Sequence, residues 1–281
     1  MSNPHTNIIF TGFSYPYGMA STKHQQHAIS ALQEYENVTA RVLVLRQHSN
    51  ENICEGIHNG IPYETVWPDL YGKEFLIKSP LYFLKCRYTI KQMYVNGAKN
   101  ILYVNGPPKY ENAELIFYAK KLGYKVVFNI LEDYDYDSDR IDNILNKAGM
   151  FTIKYYMKQL SVLADGIIVI SSHLYYKLLT ILKKKIPIML RPISIDARNF
   201  RNENIEKDIN PRLFYAGSFG SKDGVEYLLK AYDVLACKYP DLEFILTGKG
   251  QFDRMESIKY LIEASKHSNR IKYKGYLSDS I

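Results

Sequence analysis

The chain has 281 residues, 46% of them apolar and 23% charged, a globular composition with length for one large or two medium domains. Lys and Arg exceed Asp and Glu by 36 − 29 = 7, which suits anionic ligands or an anionic membrane surface but is not the dense basic patch of a nucleic-acid binder. Cys54, Cys86 and Cys237 form neither a metal spacing nor a disulfide framework; with no signal peptide and no apolar run near the roughly 20 residues of a membrane span, a cytoplasmic location is expected. The first strand is predicted at residues 7–12 and is closed by Gly12. A loop of Tyr, Pro and Gly follows, then a helix over about 20–34 with Ser21 or Thr22 as its cap, then a buried strand at 40–45. This βαβ alternation points to a parallel sheet covered by helices.

Residues 51–67 are polar, and Asn59-Gly60 marks a turn of a small hairpin. Pro80 to Asn96 reads as a helix of mixed aromatic and basic character, carrying Tyr82, Phe83, Lys85, Arg87, Tyr88, Lys91 and Tyr94. Such a face can lie on an anionic membrane, or it can be a packing helix with snorkelling lysines. A strand at 100–105 is closed by Gly106-Pro107-Pro108, and a helix over 113–122 ends at Gly123. A buried strand at 125–131 leads into the most acidic stretch of the chain, Glu132 to Asp139. A long helix to about Leu163 is expected next, then a strand at 166–170, a helix at 173–182 capped by Ser171 or Ser172, and a strand at 186–190. The run Lys183-Lys184-Lys185 reads as a solvated helix end.

From Asp196 to Pro211 the composition turns polar and charged, as in a linker. Two domains follow from this reading, residues 1–200 and 201–281. In the second, Leu213 to Ala216 is an apolar run expected as a buried strand. Gly217, Gly220 and Gly224 then punctuate a loop that carries Lys222. The next helix has Val225, Leu228, Leu229, Tyr232 and Leu235 at helical spacing. The strand at 242–247 ends in Gly248-Lys249-Gly250, and a further helix and strand close the chain. A strand–glycine loop–helix unit can present backbone N–H groups and a lysine to a phosphate, and an ordinary α/β turn has the same outline.

The order of these motifs resembles glycosyltransferase family 4 and its GT-B fold, two Rossmann-like domains facing one another across a cleft. The resemblance spans nearly the whole chain. It is carried by Tyr15 to Thr22, similar to the family's first glycine loop; by Ala164-Asp165 to Ser171; by Arg191 to Phe200, at the passage into the second domain; and by Tyr215 to Gly224 with Gly248-Lys249-Gly250. It implies an α/β fold and transfer of a sugar from a nucleoside-diphosphate donor to an acceptor hydroxyl, with retention and without a bound metal. The nucleotide sugar would be a co-substrate rather than a cofactor. The acceptor would be a glycan or a lipid-linked intermediate of surface-polysaccharide synthesis, with a peripheral membrane contact.

By the same resemblance, Gly217, Ser218, Lys222 and Gly248 are donor-binding positions, with Lys222 on the diphosphate, where charge grows as the bond breaks. Gly18 and Met19 belong to the cleft loop, and Ser171 and Asp196 are structural positions. Three departures stand out. Ser218 occupies a position where many relatives have arginine, and Tyr17-Gly18 replaces two adjacent glycines. The family's acidic donor-sugar motif and its returning helix are expected beyond Ile281, so the 281-residue chain is expected to turn over weakly or not at all.

The acidic stretch admits several readings. As a calcium loop starting at Asp133 it fails, because Ser138 and Ile144 stand where Gly and Glu are needed. Asp133, Asp135 and Asp137 would suit a metal-dependent GT-A transferase, but that fold does not call for a second glycine-loop unit. Glu132 and Asp133, at the carboxyl end of a strand, can instead bind acceptor hydroxyls, and one can serve as a base. Acidic residues also simply favour a helix start. His24 and His27 lie on the first helix near the glycine loop, facing the cleft or sitting at the edge of the core. A non-catalytic nucleotide- or sugar-binding module is the alternative outside enzymes. A nicotinamide dehydrogenase is disfavoured, since Gly12 to Gly18 does not match G-x-G-x-x-G.

Overall fold

The computed structural model describes residues 4–18, 20–46, 54–70, 72–133, 144–194, 197, 210–220, 223–250 and 252–277. The chain divides into two compact units, Met1–Phe200 and Arg201–Ile281.

Among the described residues the first unit has one eight-stranded sheet. Its strands are β1 (Thr6–Thr11), β2 (Val38–Val44), β3 (Glu55–His58), β4 (Ile61–Thr65), β5 (Lys99–Asn105), β6 (Lys125–Ile130), β7 (Gly166–Val169) and β8 (Ile188–Leu190). They lie in the order β3-β4-β2-β1-β5-β6-β7-β8, all parallel apart from the β3–β4 hairpin, which turns at Asn59-Gly60. The chain moves outward from β1 to β2 on one side and resumes at β5 on the other. The crevice between β1 and β5 is therefore a topological switch point, where open α/β sheets bind ligands.

Both faces of the sheet are covered, which is why these strands are short continuous apolar runs. Alternate side chains go to opposite cores. Ile9, Leu43, Leu102, Val104, Val126 and Phe128 pack against α2 (Gly72–Gln92), α3 (Tyr110–Leu122), the short α5 (Leu160–Leu163) and α6 (Ser172–Ile181). Phe10, Val42, Val44 and Tyr103 pack with Ile29 of α1 (Ala20–Gln33) on the other face. The remaining helix of this unit is α4 (Ile144–Lys158).

The second unit has a three-stranded parallel sheet among its described residues, in the order β11-β10-β9. The strands are β9 (Arg212–Gly217), β10 (Glu243–Gly248) and β11 (Ile271–Tyr273), with α7 (Val225–Lys238) and α8 (Phe252–Glu263) between them. Its core gathers Phe219, Val225, Leu229, Tyr232, Phe244, Leu246 and Ile258.

Four expectations need correction. The helix predicted from Pro80 starts at Gly72 and carries Pro80 inside it. The single long helix to Leu163 breaks at Gln159 into α4 and α5. Ser21 and Thr22 do not cap α1: the helix already begins at Ala20, and the Thr22 hydroxyl reaches back to the Ser14 carbonyl (2.7 Å). The strand expected to be buried at Leu213–Ala216 is largely open, with Phe214 65% exposed, because only one face of β9 packs on the core of its unit.

Candidate functional site

At the switch point the backbone of β1 meets that of β5 closely. Gly12 has φ +89°, and a Cβ there would lie 2.3 Å from the Asn105 carbonyl oxygen, so the turn leaving β1 requires glycine. The loop then crosses the start of α1. A Cβ on Gly18 would sit 2.0 Å from the Thr22 hydroxyl, so a side chain there would push the loop off the helix. Met19, paired with Gly18 in the sequence reading, lies outside the described residues.

Beneath this loop is a polar cluster that sequence reasoning missed. The Asn105 carboxamide oxygen accepts from Gln25 Nε2 (2.8 Å) and from Asn129 Nδ2 (2.9 Å), while its nitrogen donates to Ser21 Oγ (3.1 Å). All three carboxamides are buried, and Thr11 Oγ1, Gln25 Oε1 and Asn129 Oδ1 have no hydrogen-bond partner among the described residues. Buried polar atoms of this kind normally find partners. Three of them, from Thr11 at the end of β1, Gln25 on α1 and Asn129 near the end of β6, make a polar floor able to receive donors from a ligand.

His24 stands one turn along α1, only 4% exposed. Arg191, after β8, points Nη2 at His24 Nε2 (2.9 Å) and at the Tyr103 hydroxyl (3.3 Å). A guanidinium has only N–H donors, so the His24 Nε2 must be the unprotonated acceptor. Burial first, then the Arg191 charge, lower the His24 pKa below its ordinary value. Burial likewise pushes the Tyr103 hydroxyl up to about 12. At neutral pH the trio is a neutral imidazole, a neutral phenol and one fixed cation.

Glu132 and Asp133 leave the carboxyl end of β6, and the two behave differently. Asp133 is tied to α6: Oδ1 accepts from Lys177 Nζ at 2.6 Å, and Oδ2 lies 3.2 Å from His173 Nε2. Glu132 is exposed. A pocket of about 330 Å³ opens between α4 and α6, lined by Asp133, Lys177, Lys154, Lys158, Lys183 and Ile181 among others. Lys183, from the run read as a solvated helix end, thus helps line a concave basic surface. Asp135, Asp137 and Asp139 lie outside the described residues, as does Asp196.

In the second unit the two glycine turns pack backbone against backbone. Gly248 has φ +132°, and a Cβ on it would meet the Gly217 carbonyl oxygen at 1.8 Å. Phe219, at φ +54° and fully buried, pins the loop from below. Asp223 organises it from within: its Oδ2 accepts from the Ser218 hydroxyl (2.7 Å) and from the Gly220 N–H (2.8 Å). Lys222 lies outside the described residues. Sequence reasoning missed Arg254 of α8. Its Nε donates to the Phe219 carbonyl (3.3 Å) and its Nη1 pairs with Glu226 in the first turn of α7. Arg254 thus brings a cation to this loop from α8. A basic residue beside the Gly248-Lys249-Gly250 turn was the available signal.

No family model matches the chain, and no curated protein matches it. Solved structures do. Sucrose-phosphate synthase from Thermosynechococcus elongatus is similar at 14% identity and a TM-score of 0.66, over 98% of this chain and 71% of that one. HepE from Anabaena, in complex with UDP-glucose, is similar at 14% identity and 0.67, over 98% and 70%. TarM from S. aureus, in complex with UDP and other ligands, is similar at 8% identity and 0.70, over 97% and 78%. At such identities the likeness speaks for architecture, and the two Rossmann-like α/β units described above have the GT-B fold.

Proposed function

We propose that this chain transfers a sugar from a nucleoside-diphosphate sugar to a hydroxyl of a glycan or lipid-linked acceptor. The observation that carries the reading is the pair of glycine turns after β9 and β10, locked so closely that Gly248 leaves no room for a Cβ beside Gly217. Such a turn, at the carboxyl ends of parallel strands and before a helix start, is where an anion meets backbone N–H groups. In support, structures of the same fold carry UDP-glucose in HepE and UDP with GlcNAc in the pneumococcal O-GlcNAc transferase GtfA.

In this reading Gly217, Ser218, Lys222 and Gly248 receive the donor. The Ser218 hydroxyl is engaged by Asp223, so Ser218 contributes its backbone N–H rather than its side chain. Lys222 and the positive end of α7 stabilise the leaving diphosphate as its charge grows. Arg254 holds the loop in shape through the Phe219 carbonyl. Gly18, Met19 and the polar floor of Asn105, Gln25 and Asn129 take the acceptor. Glu132, exposed at the end of β6, would accept the acceptor proton, while the Asp133 carboxylate is held by Lys177. The resemblance adds retention of configuration, no bound metal, and a place in surface-polysaccharide synthesis. The second parallel unit is the feature that a metal-dependent GT-A reading leaves without a purpose.

A UDP-N-acetylglucosamine 2-epimerase shares the fold at 11% identity and a TM-score of 0.54. Nucleotide-sugar binding is therefore the first thing to measure. Calorimetric titration of the purified chain with UDP, GDP and NAD is expected to show a nucleoside diphosphate binding in preference to NAD. Lys222→Ala should weaken it about ten- to hundredfold, the loss of a hydrogen bond to a charged group. Glu132→Gln should leave it unchanged. Preference for NAD, or indifference to Lys222→Ala, would remove the donor site from this loop.

A further inference from the structure

Helix α2 has two faces. Phe75, Ser79, Tyr82, Cys86 and Ile90 are buried against the sheet and α3. The opposite face carries a second apolar stripe at helical spacing, Ile77, Leu81, Leu84 and Tyr88, and it is open to solvent: 79%, 58%, 58% and 67% exposed. Leu76 adds to its edge. A surface helix that only packs on a core has a polar outer face. Here four large apolar side chains, three turns long, stand where charged residues belong, and such a patch marks an interaction surface.

Outside its ion pairs, the charged side chains of α2 among the described residues are all lysines. Glu74, the acid in its first turn, is paired with Lys78 four residues on. Arg87 is paired with Glu114 of α3 (2.6 Å). Lys73, Lys85 and Lys91 have no acidic partner among the described residues. Lys85 Nζ lies 4.4 Å from the centre of the Trp67 ring, and Trp67, Leu81, Leu84, Lys85 and Tyr88 form one shallow groove. An indole and a phenol at the rim of an apolar stripe, with lysines beside them, is the composition of a helix lying in a bilayer interface.

We infer that the outer face of α2 docks on an anionic lipid bilayer, with Ile77, Leu81, Leu84 and Tyr88 in the headgroup–acyl boundary and Lys73, Lys85 and Lys91 on lipid phosphates. A second copy of the chain is the competing occupant, since a 4-3-4 stripe also suits helix pairing. Charge decides between them. Two copies of this face would bring lysine against lysine, whereas an anionic surface complements each one. The inference stands apart from the transferase reading, because it uses no residue of the glycine loops.

The chain contains a single tryptophan, and it sits in this groove, so its emission reports the contact directly. The full chain is mixed with vesicles of phosphatidylcholine alone or of phosphatidylcholine with phosphatidylglycerol, and followed by flotation and Trp67 fluorescence. Flotation with the anionic vesicles and a blue-shifted emission are expected, both weakened by salt. Leu81→Glu with Leu84→Glu should abolish flotation, while circular dichroism stays unchanged because both side chains are exposed. Lys73→Ala with Lys91→Ala should weaken partitioning roughly 25-fold, about fivefold for each lysine. No flotation with anionic vesicles overturns the inference. Equal binding to neutral vesicles removes the lysines from it. A dimer in sedimentation velocity that Leu81→Glu dissolves, without vesicle binding, gives the face to a second copy instead.

Discussion

Asp165 shows how a short motif acts through one carboxylate. It follows Ala164 just before β7, and its Oδ2 accepts from the Val126 N–H (3.0 Å) and from Lys120 Nζ (2.9 Å), tying the start of β7 to β6 and to α3. Burial alone would raise its pKa, but the Val126 N–H and the Lys120 ammonium outweigh burial and hold it below the ordinary aspartate value. A carboxyl with a lowered folded pKa contributes stability above its unfolded value, and loses it as pH falls through the folded one. Asp165→Asn is therefore expected to cost about 1–3 kcal/mol at neutral pH. That cost should begin to shrink below about pH 3.9, where the unfolded carboxyl takes up a proton, and shrink further as the pH falls through the lower folded pKa. Urea unfolding of both proteins at neutral and acid pH measures it. An equal difference at the two pH values would mean that the carboxylate charge contributes nothing.

At the scale of elements, much of the architecture is legible in the sequence, because its strands are short apolar runs closed by Gly, Pro or Asn, with helical spacing between them. Two failures have physical causes. Pro80 resembles a helix start, since proline is favoured at the first helical position. Inside α2 it leaves the Leu76 carbonyl without an N–H partner, and the neighbouring Ser79 hydroxyl donates to that carbonyl instead (3.0 Å). The repair is invisible in a search for periodicity. Ser79→Ala, by unmaking it, should cost about 1 kcal/mol and lower Tm by about 2–4 °C. An unchanged Tm would show that water serves the carbonyl as well. The polar floor at the switch point is the second failure. Gln25 and Asn105 are 80 residues apart, and Asn105 and Asn129 are 24 apart; only the strand order β1-β5-β6 brings them together. Local motifs such as Gly12 and Gly248 are visible because a glycine signals its own backbone. A site assembled by topology carries no such mark.

At the scale of the molecule, the two units each have their own core, drawn from residues 8–188 in the first and 215–273 in the second. Compact units with separate cores unfold as separate transitions when the interactions that join them are weak. Ligand linkage then assigns a binding site without needing turnover. A ligand stabilises only the unit that binds it, by about 2.7 kcal/mol at one hundred times its Kd. Scanning calorimetry of the full chain with increasing nucleoside diphosphate should therefore raise the transition that Gly248→Ala lowers, since that substitution puts a Cβ 1.8 Å from the Gly217 carbonyl oxygen and marks the second unit. The transition that Asp165→Asn lowers, which marks the first unit, should stay where it is. If the nucleotide moves the first transition instead, the donor belongs to the crevice between β1 and β5, and the polar floor of Gln25, Asn105 and Asn129 becomes the place to look for its contacts.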